Sequence, residues 1–286
     1  MPRPGTGKFS IKGTRADDEI VVTAAGVVVN GTLREYSPTD IARGFILNGG
    51  DGNDRITGGP GPDELFGGAG NDTLLGTHQH KFDGGRGVDT LDLSSSAVGL
   101  LVDIQGSGTF TTINMLTDDG GFLFLTYTSS QISNAAKGIE NIIGTSHGDF
   151  LMGNSAANVL HGGAGNDMIS AKSSVDAATD QLFGDDGNDE LFAGGGNDVL
   201  TGGSGADKFV FDPNNWQGNW VVMDYTPDID SAYAFPYSGS IAWTTVEYLG
   251  RQSSVATFDG GDSVTFYDVA DPTLIDLTPL TSWPVI

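Results

Sequence analysis

The chain has 286 residues, with 37 acidic residues against 13 basic, a formal net charge of −24, 44 glycines and no cysteine. That acidic excess excludes a nucleic-acid binder, which needs a basic footprint, and the missing cysteines exclude a disulfide framework. No stretch approaches the roughly 18 apolar residues of a membrane span, and self-repulsion on this scale opposes compaction unless cations neutralise it.

In chain order, Met1 to Gly7 has no apolar h-region, so no ordinary secretory signal is expected. Residues 1–48 read as an irregular N-terminal β cap, with Ile20-Val21-Val22 and Val27-Val28-Val29 as β-branched strands. From Gly49 a nine-residue frame, Gly-Gly-x-Gly-x-Asp-x-apolar-x, repeats without a break as 49–57, 58–66 and 67–75, and residues 49–92 form a first array. An outlying half-match to this frame, Gly13 to Ile20, lies within the cap. Residues 93–143 interrupt the repeats as a β-rich spacer with longer apolar runs, Leu100-Leu101-Val102 and Gly121-Phe122-Leu123-Phe124-Leu125. A second array covers residues 144–210, with clear copies at Gly162–Ser170, Gly184–Phe192, Ala193–Thr201 and Gly202–Val210. The remainder, 211–286, is poor in repeats and carries all four tryptophans, Trp216, Trp220, Trp243 and Trp283. Helical pattern is scarce, with Asp271 to Leu277 as one short exception.

Each position of the frame has a physical task. Glycines permit positive φ and close backbone approach, so six residues turn tightly and aim carbonyls inward. The Asp at position six brings a hard anionic oxygen to the same concavity, the ligand type calcium favours. Position eight, in the short strand after the loop, points into a core, and so short a rung must stack on others to bury it. The apolar column reads Ile56, Leu65 and Leu74, then Leu151, Leu160, Ile169, Leu182, Leu191, Leu200 and Phe209. The frame slips twice: Gly76 to Asp83 is a shortened rung with Phe82 in the apolar column and Lys81 read at the Asp position, and Ala171 to Phe183 is lengthened. Gly144 to Met152 and Gly153 to His161 are weaker copies, the second with Asn158 in place of Asp.

These repeats resemble the repeats-in-toxin (RTX, hemolysin-type calcium-binding) family. The stretches Lys137 to Thr145 and Ala206 to Asp212 are similar to that family's entry and exit segments, and Gly260 to Phe266 with Trp283 to Ile286 is similar to its C-termini. The resemblance implies an all-β fold, a right-handed parallel β-roll or β-solenoid with two repeat arrays and β-rich caps. It also implies extracellular localisation in a bacterium, with export by type I secretion machinery through an uncleaved C-terminal signal. Two nonapeptides make one turn in such a roll, so loops two rungs apart stack and share an ion. The expected pairs are Asp54 with Asp72, Asp72 with Asp89, Asp167 with Asp189, Asp180 with Asp198, Asp189 with Asp207 and, more weakly, Asp149 with Asp167. Asp63 joins the candidate ligands by motif, although opposite Lys81 its site should stay unfilled. Backbone carbonyls of Gly50, Gly52, Gly68, Gly70, Gly163, Gly165, Gly187, Gly194, Gly196, Gly203 and Gly205 complete the shells, with Asp185 standing where its rung's second glycine would be.

No catalytic motif stands up in the sequence. There is no His-Glu-x-x-His to anchor a zinc protease. The one Gly-x-Ser-x-Gly match, Gly144 to Gly148, runs on in the repeat register instead of entering the helix a nucleophile elbow requires. His78-Gln79-His80 and the acids Asp224, Asp228 and Asp230 read as solvated or cation-binding groups. The expectation is therefore a secreted, non-enzymatic protein that folds on binding several calcium ions. Two alternatives stay open: an adhesion module whose tryptophan-rich end binds a glycan or cell-surface partner, and a polysaccharide-modifying enzyme or the non-catalytic remainder of a secreted hydrolase.

Overall fold

The computed structural model describes residues 7–77, 79–104, 138–171, 178–215, 217–234 and 237–279. The run 121–125, His78, Lys137, Trp216 and the terminus 283–286, all singled out in the sequence, lie outside the described residues. The chain divides into two compact units, one holding described residues 7–97 and 138–143, the other 98–104 and 144–279.

In the first unit the strands Phe9–Lys12, Phe45–Asp51, Glu64–Ala69 and Lys81–Arg86 lie side by side, all parallel. A second parallel sheet runs Glu19–Thr23, Arg55–Thr57, Thr73–Leu75, Thr90–Asp92 and Asn141–Ile143. The chain crosses from one sheet to the other at every rung, so two nonapeptides make one turn. Side-chain alternation then sends every position-eight residue inward: Leu47 pairs with Leu65 and Leu65 with Phe82 on one sheet, Ile20 with Ile56, Ile56 with Leu74 and Leu74 with Leu91 on the other. The strands Gly26–Val29 and Thr32–Glu35 add to Glu19–Thr23 in antiparallel order.

The second unit repeats the plan. Val159–Ala164, Gln181–Asp186, Val199–Ser204, Asn219–Val222 and Ser263–Phe266 are parallel, and Arg251–Phe258 and Ile241–Tyr248 extend them in antiparallel order. The opposing sheet stacks Leu101–Asp103, Phe150–Met152, Met168–Ser170, Glu190–Phe192, Lys208–Phe211, Ser231–Ala234 and Leu277–Pro279. All ten residues of the apolar column named from the sequence are 0% exposed. The lengthened rung rejoins the register, since Leu182 pairs with both Leu160 and Leu200. With so narrow a core each side chain packs against its neighbours above and below. Leu191→Ala is expected to cost about 2–5 kcal/mol in a denaturant titration of the calcium-loaded protein.

Helix is confined to two short pieces among the described residues. The sequence reading missed Pro38–Arg43, where Ser37 caps the Asp40 N–H, Pro38 sits in the first turn and Gly44 (φ 82°) ends the helix. The expected short exception is a single 3-10 turn, Pro272–Leu274, capped by Asp271. Neither is long and apolar enough to cross a membrane. Trp220 is fully buried, packs 5.5 Å from Phe211 and donates its indole N–H to the Gly194 carbonyl at 3.1 Å. Trp243 is half-buried and lies against Phe266, with ring centroids 6.1 Å apart. Trp220 therefore serves the core and has no face for a glycan.

Candidate metal centre

The position-six acids line up where each loop enters its strand. In the first unit the Asp18 N–H donates to Asp54 Oδ1 at 2.7 Å, Asp54 to Asp72 at 2.7 Å, Asp72 to Asp89 at 2.8 Å and Asp89 to Glu140 Oε2 at 2.8 Å. In the second unit the same ladder runs from Leu100 to Asp149 at 2.5 Å, then through Asp167, Asp189, Asp207 and Asp230 at 2.7 to 2.9 Å. A parallel column takes the Asn158 N–H to Asp180 and the Asp180 N–H to Asp198, at 2.7 and 2.9 Å. Every pair expected from the sequence is thus brought together, one turn apart.

One carboxylate oxygen of each acid is spent on this ladder, except at Asp18, whose carboxylate accepts from Asn30 and Thr14. The other, Oδ2, is buried without a hydrogen-bond partner in Asp54, Asp72, Asp89, Asp167 and Asp189. Stacked strands lie roughly 4.8 Å apart, and two unit charges at that distance repel by roughly 3.5 kcal/mol at an effective dielectric of about 20. The carboxyls respond accordingly. Burial first, then neighbouring acids, pushes Asp167 up to about 8, Asp189 to about 7, and Asp54, Asp89 and Asp207 to about 6. Asp72 is raised by burial too. One backbone hydrogen bond does not offset the burial of so many like charges, and a cation at the partnerless oxygens would.

The loop backbone has the conformation the frame requires. Gly50, Gly52, Gly68, Gly70, Gly163, Gly165, Gly187, Gly194, Gly196, Gly203 and Gly205 all have positive φ, and so does Asp185 at 72°. At Gly68 (φ 124°) an added Cβ would strike the Gly50 carbonyl of the rung below. Gly68→Ala is therefore expected to cost at least about 1–3 kcal/mol, read from denaturation in saturating calcium. The Gly194 carbonyl already accepts the Trp220 indole N–H. Carboxylates and carbonyls, all oxygen, are the donor set that suits a calcium ion.

The shortened rung requires a correction. Lys81 pairs with Glu64 and Phe82 with Leu65, so the residue level with Asp63 is His80 and not Lys81. Removing one residue from the loop moved the acid position one place earlier than expected. The His80 side chain is buried and its Nδ1 accepts the Asp63 N–H at 3.1 Å. That nitrogen carries no proton, so its 3.8 Å approach to Asp63 Oδ2 is no ion pair.

Sequence reasoning passed over Asp18, Glu140, Asp230 and Asp262 as column members. Each lies two residues before a buried apolar residue (Ile20, Ile142, Ala232, Val264), and that offset was the available signal. It also passed over an outer ladder of position-five side chains. Asn53 Oδ1 accepts the Asn71 N–H at 2.7 Å, Asn71 that of Val88, Asn166 that of Asn188 and Asn188 that of Ala206. The acids Asp224 and Asp230 hold backbone: Asp224 accepts from Gly202 and Gly203, Asp230 from Asp207 and Thr226. In the Gly144 to Gly148 stretch, Ser146 Oγ and His147 Nδ1 belong to chain neighbours and lie 3.3 Å apart in an exposed contact, and the next element is a strand, Phe150–Met152.

The RTX calcium-binding nonapeptide repeat, in four copies, matches residues 47–77, 143–176 and 174–209. No curated protein sequence matches the chain. Among solved structures it is similar to the AlgE6R3 subunit of the mannuronan C5-epimerase of Azotobacter vinelandii, at 22% identity and a TM-score of 0.27, over 49% of this chain and 83% of that one. It is similar also to the extracellular lipase LipA of Serratia marcescens, at 18% identity and a TM-score of 0.25, over 96% of this chain and 41% of the lipase.

Proposed function

Starting from a chain whose RTX calcium-binding nonapeptide repeats build a calcium-binding parallel β-roll, we propose that it is a secreted protein whose folding is switched by calcium outside the cell. The observation that carries this reading is the set of buried, partnerless carboxylate oxygens in Asp54, Asp72, Asp89, Asp167 and Asp189. Asp54, Asp72 and Asp89 hold ions in the first unit and Asp167, Asp180, Asp189, Asp198 and Asp207 in the second, with loop carbonyls beside them. Bound calcium supplies the positive charge that lets these columns close. Without it, like charges one rung apart and a net charge of −24 keep the repeats open and exportable, which suits type I secretion. Extracellular modules bind calcium in the range of roughly 10⁻⁴–10⁻³ M, so filling comes after export. Binding free energy becomes folding free energy because the loops form only in the folded roll.

The test is a far-UV circular dichroism titration. Calcium should produce a cooperative gain of β signal, EDTA should abolish it, and magnesium, which demands tighter octahedral geometry, should substitute poorly. A β spectrum that EDTA leaves unchanged would overturn the reading.

A further inference from the structure

The loops differ in one backbone feature that sorts their acids into two classes. In the loops of Asp54, Asp72, Asp89 and Asp167 the second residue is Gly50, Gly68, Gly85 or Gly163, each at positive φ between 103° and 125°. Their Oδ2 atoms are the partnerless ones. In the loops of Asp18, Asp63, Asp149, Asn158 and Asp230 the second residue does not have positive φ, and its N–H turns onto the side chain at position six. Thr14 N–H bonds Asp18 Oδ2 at 2.5 Å, Gly59 bonds Asp63 at 2.6 Å, Thr145 bonds Asp149 at 2.6 Å and Thr226 bonds Asp230 at 2.7 Å. Asn154 does the same to Asn158 at 2.8 Å. In these loops the side chain is consumed by its own turn.

Asp185 makes the contrast informative. It is the second residue of the Asp189 loop, it is not glycine, and it is held at φ 72° while Asp189 Oδ2 stays partnerless. Aspartate tolerates that region better than most residues, so the positive φ is kept here without glycine. Position also matters. Asp149 and Asp230 bracket Asp167, Asp189 and Asp207 in the second unit's column, and Asp18 heads that of the first.

We infer that the backbone conformation of each loop's second residue decides whether its acid is open to a divalent cation or closed on its own loop. Asp18, Asp63, Asp149 and Asp230 are therefore metal-free terminators, not ligands. This rests on the calcium reading and narrows it: motif matching counts Asp63 and Asp149 as ligands, and the loop geometry removes both.

The test counts calcium ions bound per chain at saturation, by equilibrium dialysis with radioactive calcium, with folding checked by circular dichroism. Asp149→Asn and Asp230→Asn should keep the wild-type count, whereas Asp167→Asn and Asp189→Asn should each lower it by at least one. Asp185 supplies variants that leave every acid of the column in place. Asp185→Gly and Asp185→Asn, both tolerant of positive φ, should keep the count. Asp185→Val, which disfavours it, should lower the count as Asp189→Asn does. A lost ion in Asp149→Asn, or a full count in Asp185→Val, would overturn the inference. A wild-type chain that binds no calcium would instead sink the calcium reading beneath it.

Discussion

Asp189→Ala is expected to raise the calcium midpoint of folding by at least the roughly 10- to 100-fold that loss of an outer-shell partner costs a metal site. Asp189 accepts the Asp167 N–H and donates its own to Asp207, so its carboxylate is flanked by an open acid on each side. Removing it vacates one wall of two sites, and sites in a one-dimensional stack couple through the rung they share. Asp180→Ala should do less, because the rung before it carries Asn158, an amide already closed on Asn154. Asp262→Ala should do least. It forfeits a 3.0 Å hydrogen bond from Gly218, worth about 0.5–1.5 kcal/mol, and no ion. Three midpoints by circular dichroism check the order, and an Asp262→Ala midpoint above that of Asp189→Ala would contradict it.

The second large effect is a reversal of pH dependence. Burial and neighbouring acids hold Asp167 at about 8 and Asp189 at about 7 in the folded state, against an ordinary value of 3.8. A carboxyl raised on folding contributes stability that is full below the unfolded value and is lost as pH climbs through the folded one. In EDTA, acidification from pH 8 toward pH 4 should therefore restore β signal. In calcium the slope inverts, because the ion needs ionised ligands and protons compete with it. The calcium midpoint should rise steadily as pH falls from 8 to 5. Parallel profiles with and without EDTA would show that the columns do not govern folding. Asp18 should take no part, since the Thr14 and Asn30 hydrogen bonds outweigh its burial and hold it below the usual range.

The roll was legible in the sequence wherever the frame kept step. Within each unit the apolar-column residues alternate between two sheets and are buried, because side-chain alternation leaves position eight only one direction. Legibility failed where one residue was lost, since counting forward from Gly76 put Lys81 in the acid place and counting back from Phe82 would have found His80. It failed again where composition hid conformation. Gly59 and Gly68 are the same letter at the same position, yet one turns its N–H onto the acid and the other turns it away. A motif specifies which residues permit a conformation, and the neighbouring rungs choose among those permitted. The Pro38–Arg43 helix was spelled by a capping serine and a first-turn proline, but it is too short to show a period.

Each unit ends one of its sheets in antiparallel strands: Thr32–Glu35, exposed along its whole length, in the first, and the largely exposed Ile241–Tyr248 in the second. In each case the last parallel rung of the sheet is already paired with the hairpin and is no longer an open edge. An uncapped parallel edge would be a template for head-to-tail growth of the kind that builds filaments. The hairpins let identical rungs be stacked within one chain while withholding the last rung of that sheet from its neighbours. Among the described residues the other sheets end in parallel pairing, at Phe9–Lys12 and Leu277–Pro279, so the protection is given to one sheet of each unit.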